Sequence, residues 1–452
     1  MVAKINRIGK IFFKKLLFGF CLSTAFCLPA FAEPSLLTDD ETETFIQEIV
    51  KPIFKVAGIS YDPNRIHLLN DMSLNAFVSD GNHLFVHTGT LLNASNPNEI
   101  SGILAHESGH IAGGHIMRQK LKIHDLQTLS AISLIAVGAT AVASGRGDAA
   151  MAVALGSHGS LLNSMMAYQM SEERSADESA VKYLKALGQS PAGLKNFMKT
   201  IQKTNRLSGY TENPYFRTHP MSNERMTFFE KAVKDNGGKT STALDENFKF
   251  VQSKLSAFLL PIDRALKKYP LSDQSDAAKY AHAIIKFRQK KYVEALKLID
   301  ELISKHPQNP YFYQLKGQFL FENGKLSEAL NAYQKSLEIK PSSVETSFLY
   351  AECALEMKQN KAYLQDVINT LNKLQIQNET PHGWELLAKA YHQKGLRAES
   401  LYALAKYSFM IENIDTAKKQ IKQALELNPS EGLKLKLSDL ENEIKQNEEP
   451  SS

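Results

Sequence analysis

Cysteine is nearly absent from this sequence: three in 452 residues, of which Cys21 and Cys27 fall within the first 32. A disulfide framework is thereby excluded, because the remaining chain holds only Cys353 and offers it no internal partner. An excess of one charge is lacking as well. The formal net charge is +5, and Lys4, Arg7, Lys10, Lys14 and Lys15 account for all of it, so the chain beyond residue 32 is neutral. Such a chain has no electrostatic footprint for a polyphosphate, which excludes nucleic acid as a partner class. Missing too is an apolar run of the roughly 20 residues that span a bilayer. Leu16 to Leu28 and Leu129 to Ala143 are both shorter.

What is present is a folded composition, 43% hydrophobic and 22% charged, over a length that calls for two or three domains. The basic start, the apolar run after it and Ala30-Phe31-Ala32 read together as an export signal cleaved after Ala32. The single cysteine left means that an oxidising compartment can give the exported chain no internal disulfide.

Residues 33 to about 95 read as mixed structure, with a helix near Glu41 to Val56. Two strand-like runs, Leu74 to Val78 and His83 to His87, are joined by the turn Ser79-Asp80-Gly81-Asn82 as a hairpin whose outer strand is available for pairing. Asn96-Pro97-Asn98-Glu99 supplies a cap, a first-turn proline and an early carboxylate, which open a helix through roughly Gln119. A second helix covers about Tyr168 to Leu187 and stops at Gly188. A polar loop follows from Ser208 to Glu224, and the Gly, Lys, Thr, Ser and Asp-rich residues 234 to 245 mark a domain boundary. Leu129 to Ala143 reads as a membrane-touching or lid segment between the two helices, with a core helix as the alternative.

The first of those helices carries His106-Glu107-Ser108-Gly109-His110, an H-E-x-x-H motif. Residues four apart share a helix face, so both imidazoles reach one ion, and Glu107 beside them reaches its water as a general base. A catalytic zinc needs a third protein ligand. His115 lies nine residues from His106, half a turn out of phase on a continuing helix, and reads as a residue of the polar face or as an outer supporting residue. Glu173 on the second helix is the better third ligand. Asp177, four residues on, shares its face and is placed to orient a ligating histidine through the second ring nitrogen. His219 in Thr218-His219-Pro220 stays open between a fourth ligand, a donor to the transition-state oxyanion and a surface-loop histidine beside a turn proline. Arg225 supports the same loop, whereas His124 and His158 are assigned no role.

Beyond residue 245 the sequence repeats itself. Glu294-Ala295-Leu296 recurs as Glu328-Ala329-Leu330 and Pro307 as Pro341, both at the 34-residue tetratricopeptide period. Trp384, Leu387, Ala388 and Tyr391 follow the repeat signature, and the wider gap from Pro341 to Pro381 makes the middle repeat irregular. Tyr280, Tyr313, Phe319, Trp384 and Tyr391 have the spacing of packing residues.

The combination of H-E-x-x-H, Glu173-Arg174-Ser175-Ala176-Asp177 on a later helix, Asn75-Ala76-Phe77 before and Thr218-His219-Pro220 after resembles the M48 family of zinc peptidases. The resemblance implies an α+β zincin-like metalloprotease domain, mostly helical with a small sheet, followed by an all-α TPR solenoid. It implies one zinc ion per chain held by His106, His110 and Glu173, with Glu107 as the base. With the export signal in front and the repeats behind, it further implies quality control of unfolded or misassembled outer-membrane proteins beside the β-barrel assembly machinery, with chaperone-like activity. The expected organisation is a signal peptide (1–32), a metalloprotease domain (33–240), a linker helix region (241–275), TPR repeats (276–432) and a polar tail (433–452). Two alternatives remain: an assembly scaffold with a closed zinc site, and a zinc hydrolase of cell-wall peptides.

Overall fold

The computed structural model describes residues 35–125, 147–207, 214–235, 242, 244–357 and 361–448. The export signal and the apolar run Leu129 to Ala143 lie outside the described residues. The chain divides into two compact units between Ser256 and Ala257.

In the first unit, β1 (Ser35–Leu37) leads into α1 (Asp40–Ala57), whose N-terminus is capped by Asp39, its side chain accepting from the Thr42 amide. Strands β2 (Ile66–Asn70), β3 (Ala76–Ser79) and β4 (His83–His87) complete a four-stranded sheet of order β1-β2-β4-β3. The expected hairpin is β3 against β4, with Phe77 opposite Phe85. β2 pairs in parallel with β4 and antiparallel with β1, so β3 is an edge and β4 an interior strand. Period-two alternation turns Ala76, Val78, Leu84 and Val86 into the core.

After α2 (Thr88–Asn93), the chain enters α3 (Pro97–Gly113), which is buried continuously from Pro97 to Ile111. Asn96 caps it by accepting from the amides of Asn98 and Glu99, and Pro97 sits where its missing N–H costs nothing. Burial of Ile100, Ile103 and Leu104 contributes roughly 1.5–3 kcal/mol each. The helix does not run on to Gln119. Gly114 adopts φ 64°, closes α3 with its amide on the carbonyls of His110 and Ile111, and a separate helical segment begins at residue 115.

The second site helix, α4 (Gly147–Ala186), extends much further upstream than its periodicity suggests. Its inner face reads Glu173, Asp177, Ala180 and Leu184, all buried. It is followed by α5 (Ala192–Leu207), α6 (Pro214–Thr218), α7 (Asn223–Asp235) and α8 (Asp245–Leu259). The expected polar loop is thus partly helical, because Tyr215 and Phe216 bury and Pro214 begins the turn. Three glycines let the helices of this unit approach α3: Gly102 faces the Leu194 backbone, Gly193 faces the Asn98 carbonyl, and Gly109 faces Ala176. Within the unit, α8 is tied down by Lys254, whose Nζ lies 2.5 Å from Asp39 Oδ1 and 3.2 Å from Glu41 Oε2 in a buried group.

The second unit is a stack of helix pairs. Its pairs are Asp276–Arg288 with Tyr292–Lys305, Pro310–Glu322 with Leu326–Ile339, Val344–Glu356 with Leu364–Gln377, Pro381–Lys394 with Arg397–Met410, and Ile414–Glu426 with Glu431–Glu448. The first three pairs begin 34 residues apart, and the third is lengthened by a 3-10 turn at Lys361–Tyr363. Gly317 lies against the Tyr333 ring, and Tyr280, Phe319 and Trp384 are buried as packing residues. No helix among the described residues is long and apolar enough to cross a membrane.

Candidate metal centre

Helix periodicity on α3 brings His106 and His110 together, with Nε2 atoms 3.1 Å apart. Glu173 arrives from α4 with Oε2 3.4 Å from His106 Nε2 and Oε1 3.3 Å from His110 Nε2. The loop after α6 adds His219, whose Nδ1 is 2.9 Å from Glu173 Oε1 and 3.4 Å from His106 Nε2. All four residues are buried, and one ligand atom from each lies within 4.8 Å of the others. Atoms arranged tetrahedrally around zinc at its usual ligand distances stand about 3.3 Å apart. The 3.1 Å between the two histidine nitrogens matches that, and Glu173 turns one carboxylate oxygen to each ring at 3.3 and 3.4 Å, so these groups fit a single ion.

Around this set stands a layer of charge and hydrogen bonds. Asp177 Oδ1 is 2.9 Å from His106 Nδ1, which directs the Nε2 lone pair inward. Arg225 on α7 donates to both carboxylate oxygens of Asp177 at 2.7 and 2.9 Å, lies 2.8 Å from Glu173 Oε2 and donates to the Pro220 carbonyl at 2.8 Å. One guanidinium therefore joins the ligand helix to the His219 loop. Tyr215 stacks on His219 with ring centroids 4.5 Å apart, and its carbonyl accepts from the His219 amide. On the other side His115 Nδ1 is 2.8 Å from His110 Nδ1.

These contacts set the electrostatics. Burial disfavours charge on His106, but Asp177 and Glu173 overcome it and raise its pKa to about 10. On His110, burial reinforced by the neighbouring His106 and His219 outweighs the opposing contact with Glu173 and lowers its pKa to about 3. Burial also works against ionised Glu173, yet His219, His106 and His110 hold its carboxyl well below the usual range. Glu107 differs. It is completely buried, burial pushes its pKa up, and neither carboxylate oxygen has a hydrogen-bond partner among the described residues. The His219 ring presents Nε2 3.5 Å from Oε1.

The structure thus brings together His106, Glu107, His110, Glu173, Asp177 and His219, and His219 is no surface-loop residue. His124 is exposed and apart from the group; the His158 side chain lies outside the described residues. Sequence reasoning missed Tyr215, for which nothing local gives a signal, and the packing role of Gly109, which the motif itself contains. It named Arg225 without seeing that it holds Asp177, Glu173 and the Pro220 carbonyl together.

Residues 40–233 match the model for peptidase family M48, and residues 288–374 match that for anaphase-promoting complex, cyclosome, subunit 3. A beta-barrel assembly-enhancing protease of Yersinia pestis is 24% identical over 83% of this chain and 77% of its own length. The protein of that name from Escherichia coli K12 is 22% identical over 90% of this chain and 82% of its own length. The metalloprotease LoiP of Escherichia coli K12 is 26% identical over 39% of this chain and 64% of its own length.

Proposed function

We propose that this chain, whose residues 40–233 match the model for peptidase family M48 and are followed by TPR-like repeats, is a periplasmic zinc endopeptidase acting on unfolded or misassembled outer-membrane proteins. The observation that carries the catalytic reading is Glu107: a fully buried carboxylate, unpartnered by hydrogen bonds, facing the convergent histidines. A metal site kept only for structure has four protein ligands and no use for such a base.

In this reading His106, His110 and Glu173 hold the ion, and Asp177 and Arg225 orient them. When bound there, zinc supplies a Lewis acid that polarises a carbonyl and makes water acidic. Glu107 takes a proton from water on its carboxylate and passes it to the leaving amine nitrogen, a role favoured by its raised pKa. An extended substrate pairs through its backbone with edge strand β3, which favours unfolded segments over folded ones. The substrate class and a partnership with the β-barrel assembly machinery rest on the relatives' names. The repeats provide the partner-binding surface, and the export signal supports the compartment.

A second reading draws on His219. As a fourth ligand it closes the position a substrate needs and makes the resting chain a chaperone-like scaffold; as a donor it steadies the oxyanion. The test is cleavage of an unfolded outer-membrane protein by the chain from Glu33 onward, with zinc content measured. Loss of cleavage in Glu107→Gln with zinc retained supports the peptidase. Faster cleavage by His219→Ala identifies a self-closed site, and no cleavage by any variant with zinc bound supports the scaffold.

A further inference from the structure

We propose that His115 is a positioning residue that fixes which lone pair His110 presents to the metal, acting as the middle link of a chain from Glu172 through His115 to His110. The inference rests on the metallopeptidase reading above.

The distances form a directed sequence. Glu172 Oε2 is 3.0 Å from His115 Nε2, and His115 Nδ1 is 2.8 Å from His110 Nδ1. That Glu172 contact is one of charge rather than an aligned hydrogen bond, and the negative charge beside Nε2 favours the His115 tautomer with its proton there and the Nδ1 lone pair free. That lone pair accepts from His110 Nδ1–H, and His110 Nε2 is left with its lone pair toward His106 and Glu173. Arg118, 2.8 Å from the same Glu172 oxygen, anchors the outer end at the surface. Asp177 acts on His106 directly; Glu172 acts on His110 through one more ring.

The backbone is shaped for this arrangement. Gly114 at φ 64° ends α3 and turns the chain, which cancels the phase argument that placed His115 away from the site. A side chain on Gly113 would run into the His115 ring. His115 itself is 3% exposed, so the fold buries a further polar ring beside the ligands rather than leaving it in solvent.

The test is zinc affinity of the full chain, measured by chelator competition, together with thermal melting of the metal-free protein. His115→Ala should weaken zinc binding 10- to 100-fold, the range for lost outer partners of metal ligands, while the metal-free melting temperature stays near wild type. His115→Asn, whose Oδ1 can stand where Nδ1 accepted, should recover much of the loss. Gly113→Ala, which keeps the imidazole but displaces it, should behave like His115→Ala. If His115→Ala proves too unstable to read, Glu172→Gln decides: weaker zinc binding supports the chain of contacts and unchanged binding overturns it. Wild-type zinc affinity in His115→Ala overturns the inference and leaves the peptidase reading standing. A wild-type chain that takes up no zinc overturns both.

Discussion

A Cβ placed on Gly109 would lie 2.9 Å from the carbonyl oxygen of Ala176, so these two residues set how closely α3 and α4 approach. Glu173 and Asp177 flank Ala176 on α4, and His106 and His110 flank Gly109 on α3. The metal centre therefore depends on a glycine inside a helix, where glycine costs about 1 kcal/mol relative to alanine.

Gly109→Ala accordingly sets two effects against each other. Helix propensity predicts a gain of about 1 kcal/mol, and overpacking against the Ala176 backbone predicts a loss of about 1–3 kcal/mol. The expected outcome is a net loss of stability with weakened zinc binding, because separating the helices withdraws Glu173 from the histidines. Chemical denaturation and zinc titration measure the two effects. A variant more stable than wild type with full zinc affinity would contradict the close approach.

Lys254 gives a prediction remote from the site. Its ammonium is buried with Asp39 and Glu41, so Lys254→Ala leaves two buried carboxylates without their cation. Breaking a buried pair in this way costs about 3–5 kcal/mol. Lys254→Met, paired with Asp39→Asn and Glu41→Gln, should restore most of that loss, which denaturant unfolding would register.

Much of this site was readable in advance because its main parts are local. His106, Glu107 and His110 follow from one helical turn, and Glu173 with Asp177 from another. The 34-residue period anticipated the starts of the helices at Asp276, Pro310 and Val344. What escaped depends on contacts distant in sequence or on a single backbone residue. The parallel pairing of β2 with β4 joins strands that no turn connects. Arg225 reaches Asp177 across 48 residues. His115 was placed by assuming a continuing helix, and Gly114 ends that helix.

The last prediction concerns protons. With no ion bound, Asp177 and Glu173 hold His106 protonated to about pH 10, whereas His110 stays neutral down to about pH 3. A histidine must be neutral to bind a metal, so uptake of zinc displaces the His106 proton. The sign follows directly: below about pH 10 the proton competes with zinc, and raising the pH by one unit strengthens apparent affinity about tenfold until His106 loses that proton unaided. At pH 7 about one proton should leave His106 per ion bound, measurable by calorimetry in buffers of different ionisation enthalpy. Asp177→Asn removes one of the two carboxylates that hold the proton and the group that directs His106 Nε2 inward. It should therefore release less than one proton at pH 7, flatten the pH dependence above neutrality, and bind zinc about 10- to 100-fold more weakly at pH 9. A wild-type affinity that does not change between pH 7 and pH 9 would show that His106 is already neutral in the metal-free chain.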